Sequence, residues 1–165
     1  MRKKHVYFLL NVIFVANLIL KMASLELTVE CEYDFSLYGI VCSLKEYQIA
    51  YYLNKLVSID LEKSEDLKIN YVKGGALSFS IFTAQTESSD IRLIKNKAVE
   101  IVKVKKPFIV PEKKEFDFFF QVEGMLHDWN EDELEDLFKR MDQIQYVKQL
   151  EVENIDSKEN LIYLE

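Results

Sequence analysis

The chain has 165 residues, 49% of them hydrophobic and 30% charged, with only four Gly and two Pro. That length and balance describe one globular domain with a real core and exclude a disordered or low-complexity protein. The formal charge is −7, and because Arg2, Lys3, Lys4 and Lys21 all precede Met22, the remainder carries 17 basic against 28 acidic residues, a balance that repels phosphate backbones and anionic membrane surfaces.

Residues 1–21 stand apart from a single domain over 22–165. Arg2, Lys3, Lys4 and His5 precede an apolar run from Val6 to Leu20 that is interrupted by Asn11 and Asn17. The run imitates a signal peptide, yet Lys21 sits three places before the best cleavage point after Ala23, and no lipobox surrounds Cys31. It is also shorter than the ~20 apolar residues a bilayer core requires. Three readings stay open: upstream sequence translated ahead of a true start at Met22, an uncleaved anchor through residues 6–20, and a secretory signal. The expected location is cytoplasmic, with membrane anchoring through residues 6–20 as the alternative, and membrane contact is expected only through residues 1–21, if these belong to the native protein.

Leu25, Leu27, Val29 and Cys31 alternate with Glu26, Thr28, Glu30 and Glu32, the period of a half-buried strand. A second strand is read over Phe35 to Cys42. Ser43 with Glu46 three residues on spells a capping box, so a helix is predicted from Ser43 that buries Leu44, Tyr47, Tyr51 and Leu53 or Leu56. Ser58 to Asp66 reads as a polar surface connection. Leu67–Val72 and Ala76–Thr83 flank Gly74-Gly75, a two-residue hairpin signal, since both glycines tolerate positive φ. Ile91–Lys95 is a further strand ending at Asn96-Lys97, and Ala98–Val104 continues extended.

Phe108 to Gly124 (FIVPEKKEFDFFFQVEG) is the most informative stretch. Val110 before Pro111 is biased to an extended conformation. Phe116, Phe118, Phe120 and Val122 recur every second residue, predicting an interior strand with that face in the core. The opposite face, with Glu115, Asp117, Phe119, Gln121 and Glu123, is expected to be only partly covered. Beyond it, Asn130 with Glu133 caps a second helix burying Leu134, Leu137, Phe138 and Met141. Tyr146–Val152 is a last strand, and Leu161–Leu164 an apolar tail that docks. Strands joined by short links, with two helices inserted, give an α+β fold: a mainly antiparallel sheet with two helices packed on one face.

Val110-Pro111-Glu112-Lys113-Lys114-Glu115-Phe116-Asp117-Phe118 resembles the signature of the IPExxxVDY family, bacterial domains of unknown function. Val110 stands for the Ile of that motif, Phe116 for the Val and Phe118 for the Tyr, so each departure keeps the residue apolar or aromatic. Tyr33 to Leu37, Lys45-Glu46-Tyr47, Ala50 to Lys55 and Ser157 to Tyr163 extend the likeness, which covers roughly Met22 to the C-terminus. The family carries no established activity, so the resemblance implies an identity without a mechanism.

Catalytic machinery is not assembled by the sequence. His127 beside Asp128 has only His5 as a second histidine, and Cys31 and Cys42 lack metal spacing. Cys42 precedes a helix but lies in an apolar strand, the setting of an inert core thiol. The acidic run Glu131, Asp132, Glu133, Glu135, Asp136 is a solvated helix face rather than a calcium loop. Lys103, Lys105, Lys106, Lys113 and Lys114 read as charges guarding an aggregation-prone strand. No phosphate-binding loop or nucleophile elbow is present, and no catalytic residue, metal or cofactor is expected. The expected function is a non-catalytic protein-interaction or ligand-binding module whose candidate binding residues are Glu112, Asp117, Phe119 and Asp34. The alternative is a small enzyme using Glu112, Asp117 or Asp34 as acid or base. The partner is expected to be a protein or small ligand rather than a nucleic acid.

Overall fold

A computed structural model describes residues 35–71, 75–100, 107–125 and 131–162. The readings for residues 1–34, including the leader, the Leu25–Cys31 strand and Asp34, fall outside them. So do those for Gly74, Lys103, Lys105, Lys106, His127, Asp128, the Asn130 cap and Tyr163 to Glu165.

The expected α+β fold is present: a mostly antiparallel sheet with two α-helices on one face. The strands are β1 (Phe35–Cys42), β2 (Glu62–Lys63), β3 (Leu67–Tyr71), β4 (Gly75–Phe79), β5 (Ile81–Gln85), β6 (Ser89–Lys95), β7 (Phe118–Gly124) and β8 (Ile144–Leu150). The helices are α1 (Glu46–Val57) and α2 (Glu131–Lys139). Six strands form the main sheet in the order β2-β5-β6-β7-β1-β8, and β3 and β4 form a separate two-stranded sheet. β7 is therefore an interior strand, as its aromatic run requires, bonded to β6 on one side and β1 on the other.

The pleat sorts the core into two halves. Phe82, Leu93, Phe120 and Tyr38 stand in a row across β5, β6, β7 and β1 on the helical face, and meet Ile49, Leu53 and Val57 of α1 and Leu134 and Phe138 of α2. The Phe138 ring sits edge-on to Phe120 at 5.2 Å and to Tyr38 at 5.9 Å, the geometry aromatic quadrupoles favour. One residue along, Ile81, Ile94 and Phe119 point the other way, into a second cluster closed by Leu77 and Phe79 of the small sheet and by Ile109, Val110, Val152, Ile155 and Leu161.

That second cluster overturns one expectation: neither face of β7 is partly covered. Phe118, Phe119, Phe120, Gln121 and Val122 are all buried. Phe116 was placed on the Phe118 face, but it lies before the strand and joins the opposite cluster. Its ring stacks on Tyr146 at 6.2 Å and 17° and lies flat over Gly39, where a Cβ would sit 2.6 Å from the ring. Only glycine at 39 leaves room for that ring.

Five readings of the element boundaries also move. The predicted Ala76–Thr83 strand is two strands in two sheets, because the chain bends at Ser80. Leu77, Phe79 and Ile81 keep alternating through the bend, and all three reach the same cluster. Gly75 pairs with Tyr71 inside the ladder and so belongs to β4 rather than to a turn. α1 begins at Glu46 rather than Ser43, with Lys45 as its cap: lysine has no acceptor to offer, and the reciprocal half is made by Gln48, whose Oε1 accepts the Lys45 N–H at 3.0 Å. Finally, the connection after α1 contains β2, and β8 starts two residues before Tyr146.

Candidate functional site

The residues of the Val110–Phe118 signature meet at one corner of the second cluster, between the end of β6 and the start of β7. Val110 has φ −120° and ψ 85°, extended as the following proline dictates, and Pro111 opens a short 3-10 turn over Pro111–Lys113. A turn this irregular leaves backbone groups without ladder partners, and a buried group left unpaired is costly. Asn96, fully buried at the end of β6, supplies them. Its Oδ1 accepts the Val110 N–H at 3.1 Å, and its Nδ2 donates to the carbonyls of Lys113 and Phe116, both at 2.9 Å. Its own backbone N–H donates to the Asp117 carbonyl at 2.9 Å. Sequence reasoning took Asn96 for a strand-ending turn residue. Its place directly after a strand was the only signal, and it does not separate a buried amide from an exposed one.

Glu112 leaves the turn on the solvent side. Its carboxylate accepts the Ser157 N–H at 2.8 Å and the Ser157 hydroxyl at 2.8 and 2.9 Å, fastening the turn to the segment after β8. Partial burial alone would push this carboxyl up. The Ser157 hydrogen bonds outweigh it, and Glu112 is held below the usual carboxylate range. Asn160 adds a second fastening, donating from Nδ2 to the Ile109 carbonyl at 2.7 Å.

Asp117 is exposed and points away from the core, as predicted, but its carboxylate does not stand free. Oδ2 accepts the Cys42 N–H at 3.0 Å, and the Asp117 N–H donates to the Ile40 carbonyl at 2.9 Å, so the residue carries the β1–β7 pairing past the last regular pair. Burial pushes the neighbouring Cys42 thiol up; the Leu44 N–H works against this and the Asp117 charge adds to it. The thiol is thereby kept protonated and inert.

Phe119, the fourth candidate, is fully buried between Ile94 and Gly39 in the ladder, with its ring 6.1 Å from Phe116. It cannot present a surface to a partner, because the small sheet and the post-β8 segment cover the face on which it lies. Asp34 lies outside the described residues. Glu112 and Asp117 share no hydrogen-bond partner; each has its own structural one. The displaced carboxylates Glu46, Glu112 and Glu135 all move downward, the direction that disfavours a proton at neutral pH. An open groove beside the start of β1, lined by Ser36, Gln149, Glu151 and Glu153 among others, contains neither Glu112 nor Asp117. Among the described residues no group of His, Cys, Asp and Glu is placed to hold a metal ion, and no helix is long and apolar enough to cross a membrane.

A feature sequence reasoning placed wrongly lies on α1. Its buried stripe is Ile49, Ala50, Leu53 and Val57, not the predicted tyrosines. Tyr47 and Tyr51 turn outward with 58% and 54% of their surface exposed, and Tyr52 has 36%. The Tyr51 and Tyr52 rings meet edge-on at 5.7 Å, and Lys55 Nζ stands 4.3 Å over the Tyr51 ring. The aliphatic residues at i, i+4 and i+8 displace the tyrosines from the core because they bury with no hydroxyl to satisfy.

No family model, curated protein or solved structure matches the chain.

Proposed function

We propose that this domain is a non-catalytic protein-interaction or ligand-binding module, and that α1, not β7, carries its contact surface. The observation behind this reading is the concentration of exposed aromatic area on one helix: Tyr47, Tyr51 and Tyr52 within two turns, flanked by Lys45 and Lys55. Tyrosine rings supply large contact area at a low cost in side-chain entropy and are enriched where interfaces hold most tightly. A small carboxylate enzyme is the weaker reading. A general acid needs a raised pKa, whereas Glu112 is lowered and bound to Ser157, and Asp117 is bound to Cys42.

Kinship with the IPExxxVDY family is proposed on the same footing. Val110, Pro111, Glu112 and Asp117 each have a structural task at one corner, and a signature made of such residues fits a family defined by its fold rather than by a reaction. A photo-reactive phenylalanine analogue placed at Tyr51 of the full chain tests the contact surface. Irradiation in cells of the source organism is expected to yield a discrete protein adduct, with none from the same analogue at Glu115. Absence of any adduct from positions 47, 51 and 52 overturns the reading.

A further inference from the structure

The two helices share one sheet face but differ in charge. On α1 the exposed charges are Lys45 at its cap and Lys55, and the only acid of the helix, Glu46, is tied to Lys95 at 2.9 Å. α2 contains Glu131, Asp132, Glu133, Glu135 and Asp136 against Lys139, which is itself held by Glu135 and Asp136 at 2.8 and 3.1 Å. A chain of net charge −7 thus concentrates aromatic and basic groups on one helix and carboxylates on the other.

Their placement matters as much as their charge. α1 lies toward the β2–β6 half: Glu46 reaches Lys95 at the end of β6, and the Asn54 amide exchanges two hydrogen bonds with Leu61 beside β2, at 2.8 and 3.2 Å. α2 lies toward the β1–β8 half, where Glu135 Oε2 accepts the Gln149 N–H of β8 at 2.9 Å. A two-fold axis parallel to the sheet, lying outside the helical layer and running between the helices, sets α1 of one copy against α2 of the other, and does so twice. The interface is then isologous and closed, the arrangement commonest among soluble oligomers. We propose that the α1 surface docks a second copy of this chain, its tyrosines and lysines meeting the acidic face of the partner's α2. The proposal rests on the reading of α1 as the contact surface, and it names the occupant.

Sedimentation of the full chain with surface charge reversals tests it. The wild type is expected to show a reversible monomer–dimer equilibrium that weakens as salt rises toward about 1 M, where the screening length falls to roughly 3 Å. Reversing α1 (Lys45→Glu with Lys55→Glu) or α2 (Glu133→Lys with Asp136→Lys) is expected to raise the dissociation constant of each homodimer at least about tenfold. Mixing the two reversed chains restores association, because the reversed, acidic α1 of one then faces the reversed, basic α2 of the other, and the second pair is native in sign. Melting curves like that of the wild type establish that both variants are folded, and Tyr51→Ala, which alters no charge, is expected to weaken the wild-type dimer in the same direction. A wild type that stays monomeric at low salt, a dimer indifferent to these changes, or reversed chains that do not associate when mixed overturns the proposal. If that happens while position 51 still cross-links to a different protein, the contact-surface reading stands and only the second copy falls.

Discussion

The two faces of the six-stranded sheet are both buried, but by different means. On one face α1 and α2 bring backbones that satisfy their own hydrogen bonds, so what crosses the gap is side-chain packing: Ile49, Leu53, Leu134 and Phe138 against Tyr38, Phe118 and Phe120. On the other, part of the cover is irregular chain over Ile109–Val110 and Val152–Leu161, whose short 3-10 turns pair only part of its backbone within itself. There polar side chains finish the work: Asn96 for Val110, Lys113 and Phe116, Asn160 for Ile109, and Gln121, whose Nε2 donates to the Leu161 carbonyl at 3.2 Å. A helical cover asks the sequence only for an apolar stripe. An irregular cover asks for particular amides at particular places.

The largest effects are expected where both faces share one strand. Phe118→Ala and Phe119→Ala should each cost ~3–5 kcal/mol, one in each cluster. Denaturant titration compares them, and a loss at Phe119 well below that at Phe118 would show the irregular side to be the looser core. Asn96→Ala comes next, at about 3 kcal/mol, since it leaves the Val110 N–H and the Phe116 carbonyl buried without partners and takes one of two donors from the Lys113 carbonyl. Asn96→Asp should be no better, because a carboxylate offers those carbonyls no donor. A near-neutral Asn96→Ala would break the comparison outright. Asp117→Asn should cost about 1 kcal/mol, as the bond to Cys42 loses its charge but not its acceptor and the site is exposed. Melting temperature reads this one.

Glu112→Gln sharpens the comparison through pH. The folded carboxyl is held below its ordinary value of 4.5, so its contribution is present above that value and is lost as pH falls through the lower, folded one. The variant should therefore be less stable than the wild type at neutral pH, and the two should converge as pH falls through the lowered, folded value. A gap that widened on acidification would mean that Glu112 is not stabilised as a carboxylate.

The helical face was the more legible one in the sequence, for the same physical reason. Leu134, Leu137, Phe138 and Met141 announce α2 by spacing alone, and Phe118, Phe120 and Val122 announce β7. Even there α1 was turned the wrong way, because tyrosine serves core and surface equally and Tyr47 and Tyr51 keep the same spacing as Ile49 and Leu53. The other face hid itself. The alternation of Leu77, Phe79 and Ile81 runs unbroken across Ser80, so periodicity does not register the change of sheet. Asn96 looks like any residue after a strand. Of the candidate site, the alternation set Asp117 on the face opposite Phe118, while the bond of Glu112 to Ser157 and the cover over Phe119 depend on segments remote in sequence, beyond the reach of local pattern.

The position of β1 carries a consequence for the order in which the chain is made. First of the described strands, β1 lies between β7 and β8 and pairs with no strand nearer than Phe118. During synthesis Leu37, Tyr38 and Ile40 therefore leave the ribosome long before any strand that will receive them, and α1 emerges with its apolar stripe bare. Contacts so distant along the chain make for slow closure and prolonged exposure of sticky surface. Until β7 and β8 have emerged, β1 has neither of the strands it pairs with, and a newborn chain of this protein is not yet a domain.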